Sequence, residues 1–336
     1  MDILNALVVF LNFVFIPAAT YGSQLALGAL GVTFVYAILR FSNFAHGDTM
    51  AFGAMVTIYA TWGLQALGVS LGPLPTALLA LPVGIAVTAV FLLATDRVVF
   101  RFYREKRAAP IIVAIVSLGV MFVLNGIVRL FIGVDDVIFL DGLRQIITPA
   151  DFKAWSGLDE GLGLKMSQAI TLVVAIISVI LLFWFLNRTR TGKSMRAYSD
   201  NEDLALLSGI NPDRVVAVTW IIVAALTTTA GVLYGLDKTF KAYVYFQLLL
   251  PIFAAAIVGG LGSPLGAIVG GYIIAFSEVI VTYAWKKVVT YLVPESWAPD
   301  GLLQLVTTDY KFAVSFSILV IVLIFMPTGI FKGKSV

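Results

Sequence analysis

Cysteine is absent from the 336 residues, and histidine occurs once, at His46. Without thiols there are no disulfides, no thiolate nucleophiles and no cysteine-based metal centres. With one imidazole the usual histidine zinc sites cannot be assembled, and a charge relay has a single base to draw on. No catalytic residue and no metal ligand is therefore nominated. Charge is equally scarce. Only 12% of the residues are charged and 60% are hydrophobic, whereas a soluble domain carries about 25% charge. The 22 Lys and Arg exceed the 19 Asp and Glu by a net charge of +3, too little for a nucleic-acid surface and better read as an orientation signal.

What the chain has instead is long apolar sequence. Residues 3–39, 49–95, 108–128, 166–187, 215–236, 242–277 and 312–331 contain no Asp, Glu, Lys or Arg. A bilayer core of about 30 Å needs about 20 helical residues to cross, so every run is long enough for one crossing and the three longest for two. Strands of an outer-membrane barrel alternate in polarity and are half that length. The expectation is a single all-α polytopic membrane domain over residues 1–336, with eight to ten membrane helices, some of them discontinuous or re-entrant. No basic stretch precedes the first run and no small-residue cleavage site follows it. Residues 3–15 read as mature structure, either a short helix or a lead-in that breaks near Pro17.

Basic residues beside short loops mark the cytoplasmic side. Residues 96–107 hold Arg97, Arg101, Arg104, Lys106 and Arg107, and residues 188–214 hold Arg188, Arg190, Lys193, Arg196 and Arg214. Both segments read as internal, together with Lys332 and Lys334 of the tail. Residues 129–165, with more acids than bases, read as an external loop carrying a small folded elaboration. Parity then places 278–311 outside and makes 242–277 enter and leave on one face. The turn falls at Gly259-Gly260-Leu261-Gly262-Ser263-Pro264, where Gly and Pro favour a break. Residues 49–95 read as two crossings joined at 68–75.

Three constellations stand out. In the internal segment 188–214, Ser199-x-x-Glu202 has the spacing of a capping box, and Asp200, Glu202 and Asp203 suit a helix N-terminus. Leu204, Leu206 and Leu207 supply an apolar surface, Gly209 a C-terminal stop, and Asn211-Pro212 the start of the next helix. This short amphipathic helix either rests on lipid or docks into a partner's groove. Asn43-Phe44-Ala45-His46-Gly47-Asp48 sits between two apolar runs as either a polar loop or an interrupted, pathway-lining helix, whose free backbone groups need burial or water. His46 and Asp48 are two residues apart and do not share a helix face, so no dyad is assigned. Gly262, Gly266 and Gly270, with Gly259, Gly260 and Gly271 nearby, read as tight helix packing or as a broken helix exposing backbone to a path. Gly192-Lys193-Ser194 lacks the preceding glycine of a phosphate loop. Asn125, Gln24, Glu278 and Thr227–Thr229 receive no individual role.

Asn43–Asp48 followed by Met50 and Phe52-Gly53-Ala54 resembles the NFAHG(E/D) signature of branched-chain amino-acid ABC importer permeases. Thr191-Gly192-Lys193 through Arg196-Ala197 to Asn201, Ala205 and Gly209-Ile210-Asn211 is similar to a second block of that family. Residues 255–271 and the ending Met326-Pro327-Thr328-Gly329-Ile330-Phe331 are similar to two more, in the family's order, over roughly residues 20–331. The resemblance implies an ABC importer permease fold in the bacterial inner membrane, multi-pass, with an internal C-terminus. It implies no cofactor on this chain, because ATP and Mg would sit on two partner ATPases. A homologous permease as heterodimer partner, an external substrate-binding protein, a small-molecule substrate and surrounding lipid complete the set, without nucleic acid. Arg196, Ala197, Ser199, Asp200, Asn201, Glu202, Leu204, Ala205, Leu207 and Gly209 correspond to the ATPase-coupling helix. Asn43, Phe44, His46, Asp48, Gly259, Gly260, Gly262 and Ser263 are the pathway or gating candidates. The expected function is import of leucine, isoleucine, valine or other aliphatic amino acids. Close relatives import urea or short amides, which is the alternative substrate class. A stand-alone secondary transporter or channel is the alternative of another kind, disfavoured because ion coupling calls for charges buried mid-span.

Overall fold

In lipid every backbone N–H and C=O must be bonded internally, so apolar runs of this length become helices. The computed structural model describes residues 2–293 and 301–331; Lys332, Lys334 and part of the expected external segment 278–311 lie outside the described residues. Among the described residues eight helical stretches are long and apolar enough to cross a membrane. They are α1 (Asp2–Leu39), α3 (Ala77–Glu105), α4 (Pro110–Ile132), α6 (Met166–Arg188), α9 (Pro212–Lys238), α10 (Ala242–Gly259), α11 (Pro264–Thr282) and the last, α13, whose regular part is Lys311–Phe325. A ninth helix of crossing length, α2 (His46–Ala66), is more polar because it begins with His46 and Asp48. Short helices α5 (Pro149–Ser156), α7 (Arg190–Asp200), α8 (Glu202–Leu207) and α12 (Lys286–Leu292) complete the set. Among the described residues the strands are β1 (Gln145–Ile147) and β2 (Leu164–Lys165), paired antiparallel in the 129–165 elaboration. The all-α polytopic expectation holds.

The first run differs from its expectation in one respect: it does not break at Pro17. The missing proline N–H and the bulk of its ring are absorbed by a widened π-turn over Leu11–Phe15, and the helix continues to Leu39. A second π-turn, Asp96–Phe100, lies inside α3. The 242–277 run folds as expected into two antiparallel helices, α10 and α11, turning over 260–263.

Packing is organised around α9. Its most apolar window is 72% buried, whereas that of α13 is 6% buried; α9 is a core helix and α13 a peripheral one. Helix α9 packs against α1, α2 and α3, while α1 also packs against α6, α10 and α11. Without water to drive apolar surfaces together, contact in a membrane depends on close backbone approach through small residues. Gly270 of α11 lies on the carbonyl of Ala255 in α10, and Gly231 of α9 lies on the backbone of Met50 in α2, leaving no room for a Cβ. Outward-facing residues such as Val98, Leu130, Phe122 and Ile180 are exposed, as lipid contact requires.

The bundle has two chemically distinct ends. One carries Arg40, the 97–107 cluster and 188–214. The 260–263 turn lies at this arginine-rich end too, and so does the end of the described chain, where the Ile330 and Phe331 N–H groups donate to Val258 and Gly259 carbonyls. At the opposite end the start of α1 packs on α12 through Ala6, Val9 and Val288. Glu160 holds that contact by accepting from Lys287 at 2.8 Å and Tyr291 at 2.7 Å. Burial opposes ionisation of Glu160, but the bonds from Lys287 and Tyr291 outweigh it and hold the carboxyl below its ordinary 4.5.

Two predictions follow from this packing. Gly270→Val forces a side chain into the Ala255 backbone and should destabilise the fold by about 1–3 kcal/mol, read as a lower melting temperature of the detergent-solubilised protein. Gly119→Val, where nothing lies within 4 Å, should leave the melt unchanged. Because the folded pKa of Glu160 is lowered, its contribution is present above 4.5 and lost as pH falls through the folded value. Amide exchange in α12, corrected for intrinsic rate, should therefore rise as the pH is lowered below 4.5, and Glu160→Gln should flatten that dependence.

Candidate functional site

Helix α1 ends at Leu39, where Arg40 takes a left-handed conformation with φ 59° as its C-cap. The next residues turn back into the bundle. His46, the first residue of α2, meets the carbonyl of Gly28, eleven residues before the end of α1 and so about 16 Å deeper. Six extended residues reach about 20 Å, enough for residues 40–45 to climb that distance. The 43–48 segment is thus an interrupted helix entry buried within the bundle.

Its backbone and side chains are bonded one by one. The Phe44 N–H donates to Ser117 Oγ at 2.9 Å, and the Ala45 N–H to Asn43 Oδ1 at 3.1 Å. The His46 Nε2–H donates to the Gly28 carbonyl at 2.9 Å. Gly31 makes space for the imidazole, since a Cβ there would strike the ring. Asn125 Nδ2 donates to Asp48 Oδ1 at 2.7 Å. His46 and Asp48 are 0% and 1% exposed. Ionisable groups that bound the charge-free runs in sequence are therefore buried within the bundle. Glu278, also buried, accepts from Ser315 within the bundle. Sequence runs bounded by charge cannot show that a helix starts halfway through the bilayer. His46 Nδ1, Asp48 Oδ2, Thr228 Oγ1 and Gln24 Oε1 are buried without a hydrogen-bond partner among the described residues. Such atoms are polar edges available to a rearranged state or to a bound molecule.

At the arginine-rich end α7 and α8 meet at Asn201. The capping box expected at Ser199 does not form. Ser199 closes α7, and Asn201 is the N-cap of α8, its Oδ1 accepting from the Leu204 N–H at 3.0 Å. Glu202 is drawn away by Tyr198, whose hydroxyl donates to it at 2.6 Å. Burial and the nearby Glu202 carboxylate raise the Tyr198 pKa. Gly209 adopts φ 79° just after the helix, and the Ile210 N–H closes the turn on the Ala205 carbonyl, as the sequence implied. Asn211 caps α9 through the Arg214 N–H.

Ala205 is buried and anchors α8, while Leu204 and Leu207 are 61% and 85% exposed. Arg196, Ala197, Asp200, Asn201, Glu202 and Gly209 are exposed beside them. The surface is tied to the interrupted segment by one residue absent from the sequence-based candidates. Arg40 Nη2 donates to the Ser199 carbonyl at 2.8 Å, so the residue that ends α1 and starts the 40–45 climb also holds the end of α7. The signal available was a lone arginine closing a long charge-free run.

The glycine turn divides. Gly259 packs on Gly266, and Gly260 on Gly329, so both serve close helix contact. Gly262 and Ser263 instead line a cavity of about 500 Å³ with Arg196, Ser199 and Asp200. The structure thus brings part of the coupling candidates together with Gly262 and Ser263, and sets Asn43–Asp48 deeper in the bundle.

Comparison with known proteins bears on this arrangement. Residues 15–323 match the family model described as branched-chain amino acid transport system, permease component. The chain is 32% identical over 317 residues to the high-affinity branched-chain amino acid transport system permease protein LivH of Escherichia coli K12, covering 93% of this chain and 92% of that one. It is 30% identical to BraD of Pseudomonas aeruginosa, described in the same words, with the same coverage. A probable branched-chain amino acid transport permease of Methanocaldococcus jannaschii is 31% identical over 79% of each chain. PsaBC from Streptococcus pneumoniae in complex with Fab matches over 96% of this chain at 12% identity, with a TM-score of 0.45.

Asn125→Leu removes the one bond made to Asp48 Oδ1 and should cost about 2–3 kcal/mol, the cost of a buried acceptor left alone. The combination Asp48→Asn with Asn125→Leu should recover about half of that loss, because a neutral amide is cheaper to strand than a carboxylate. Thermal melts of the three purified variants check both statements.

Proposed function

The chain belongs to the branched-chain amino acid transport permease family, and from that premise we propose that it is the membrane-spanning subunit of an ATP-driven importer of leucine, isoleucine, valine or related aliphatic amino acids. The observation that carries the reading is the joined pair at the arginine-rich end: an apolar surface helix, α8, linked through Arg40 to a helix interrupted deep in the bundle. A surface with Leu204 and Leu207 standing in solvent suits a helix-in-groove contact. The excess of arginine around it supports a cytoplasmic assignment of that end, where ATPases reside, and of Phe331 bonded there. The 129–165 elaboration then faces outward, toward a substrate-binding protein.

In this reading a homologous permease pairs with the chain, the pathway runs between the two, and two ATPases supply the energy. The residues present fit a subunit that hydrolyses nothing itself, and ATP with Mg belongs to the partners. Movement of the ATPases displaces α8. Helices α7 and α8 pack on each other, so α7 moves with α8 and pulls on Arg40 through the Ser199 carbonyl. Residues 40–45 lead from Arg40 to His46, Asp48 and their unpartnered neighbours, which exchange partners as the path opens from one side to the other. Gly262 and Ser263, lining the cavity beside Arg196 and Asp200, give the segment room to shift. An aliphatic substrate requires little charge along such a path.

The test is ATP-dependent uptake of labelled leucine by the complete complex in proteoliposomes. Leu207→Asp should leave this chain folded and lower ATPase retention and uptake by about tenfold or more, as loss of an apolar anchor does. Arg40→Ala should keep the ATPases bound and still lower uptake per ATP hydrolysed. Uptake by this chain without ATPases, or normal coupled uptake in Leu207→Asp, would overturn the reading.

A further inference from the structure

The end opposite α8 contains a cavity of about 620 Å³ between the 129–165 elaboration and the end of α9. Its wall combines three chemistries. Arg144 and Lys165 are cationic, Asp237 is anionic, and Ile138, Leu143 and Leu236 are apolar. Neither Arg144 nor Lys165 has an ion-pair partner among the described residues. The Asp237 side chain is 4% exposed; it accepts from Ser167 Oγ at 3.3 Å and lies 3.5 Å from Lys238 Nζ. A cavity of this size is ample for a small ligand, and two cations with one fixed carboxylate beside an apolar wall are the complement of a zwitterion carrying an aliphatic side chain.

The floor adds a second, independent observation. Gly235 is part of the lining, and against it lie Phe139 and the Tyr245 hydroxyl. Tyr245 donates to the Gly231 carbonyl at 2.8 Å and packs against a tilted Phe240 ring and an edge-on Tyr234 ring, with centroids 5.2 and 5.7 Å away. Phe139, Phe240 and Tyr245 are buried. On their inner side Gly47 sits on the Tyr245 carbonyl and Gly231 on Met50. An aromatic plug, one side chain thick, therefore separates the cavity from the interrupted segment.

We propose that this cavity is a docking vestibule for an amino-acid zwitterion, with its carboxylate at Arg144 and Lys165, its ammonium at Asp237 and its side chain on Leu143 and Leu236, held above a closed aromatic plug. The proposal rests on the amino-acid importer reading and names the residues of this chain that meet the substrate. Urea, with no formal charge and no aliphatic chain, makes neither the ion pairs nor the apolar contact that this wall offers.

The chain has no cysteine, so one introduced thiol reports on the cavity alone. In the complete complex, Leu143→Cys and separately Gln145→Cys are labelled with a maleimide, and modification of this chain is followed by peptide mass spectrometry. L-Leucine should slow labelling roughly tenfold at ten times its dissociation constant. Isoamylamine and isocaproate, each with half of the zwitterion, should protect far less, and Arg144→Gln should weaken leucine protection by about tenfold. Absence of protection by leucine at both positions, or equal protection by 3-methyl-1-butanol, overturns the vestibule. Uptake by the unaltered complex is measured in parallel. Leucine uptake without protection removes the vestibule and leaves the importer reading standing, whereas uptake of urea in place of leucine removes the importer reading itself.

Discussion

A helix that begins in the middle of a membrane bundle leaves N–H and C=O groups without partners where no water is at hand, and the architecture of this chain is arranged around meeting that constraint. Two side chains and one backbone carbonyl from elsewhere on the chain converge on the 43–48 entry. Ser117 accepts from Phe44, the Gly28 carbonyl accepts from His46, and Asn125 donates to Asp48. Each interaction fixes a neighbour: Gly28 and Gly31 require α1 to pass close by, and Ser117 and Asn125 require α4 to stand alongside α2. The break thus joins three helices, α1, α2 and α4, and a change in its bonding is felt by all of them.

Close approach on the other side has the same origin. Gly47 rests on the Tyr245 carbonyl, Gly53 on Thr228 and Gly231 on Met50, so α2 is clamped between α9 and α10 with no spare volume. Packed interfaces of this kind switch between discrete arrangements and do not deform smoothly. That is why a modest displacement at Ser199, carried by Arg40, is expected to be felt as a whole-segment shift near His46.

Legibility followed the physics. Helix existence was readable because crossing length and absence of charge are properties of contiguous sequence. The turn at 260–263, the Gly209 stop and the Asn211 cap were readable because each depends on local backbone chemistry. Depth was not readable. Nothing local distinguishes a polar loop at the surface from one that climbs about 16 Å into the bundle, since that depends on what Gly28 and Asn125 offer from elsewhere. The Ser199 cap was misplaced for a similar reason: Tyr198 competes for Glu202, and the pairing is visible only once α7 has formed. Pro17 was over-weighted as a breaker because a π-turn accommodates it without loss of the helix.

The two ends of the bundle differ in what they can bind. One end presents exposed leucines on a short helix pinned by a buried alanine, a surface suited to a protein. The other presents opposed charges around a small concavity, suited to a molecule the size of an amino acid. Helix α9 spans both, beginning at the Asn211 cap beside α8 and reaching Asp237 in the cavity wall, and most of its residues are buried. In the proposed importer cycle α9, touching both ends, serves as the reference, and α2 with its interrupted entry is the segment whose bonding changes. On the importer reading this division is what alternating exposure needs: a frame that keeps the two mouths in register, and a segment whose partners, Gly28, Ser117 and Asn125, can be exchanged without unfolding it.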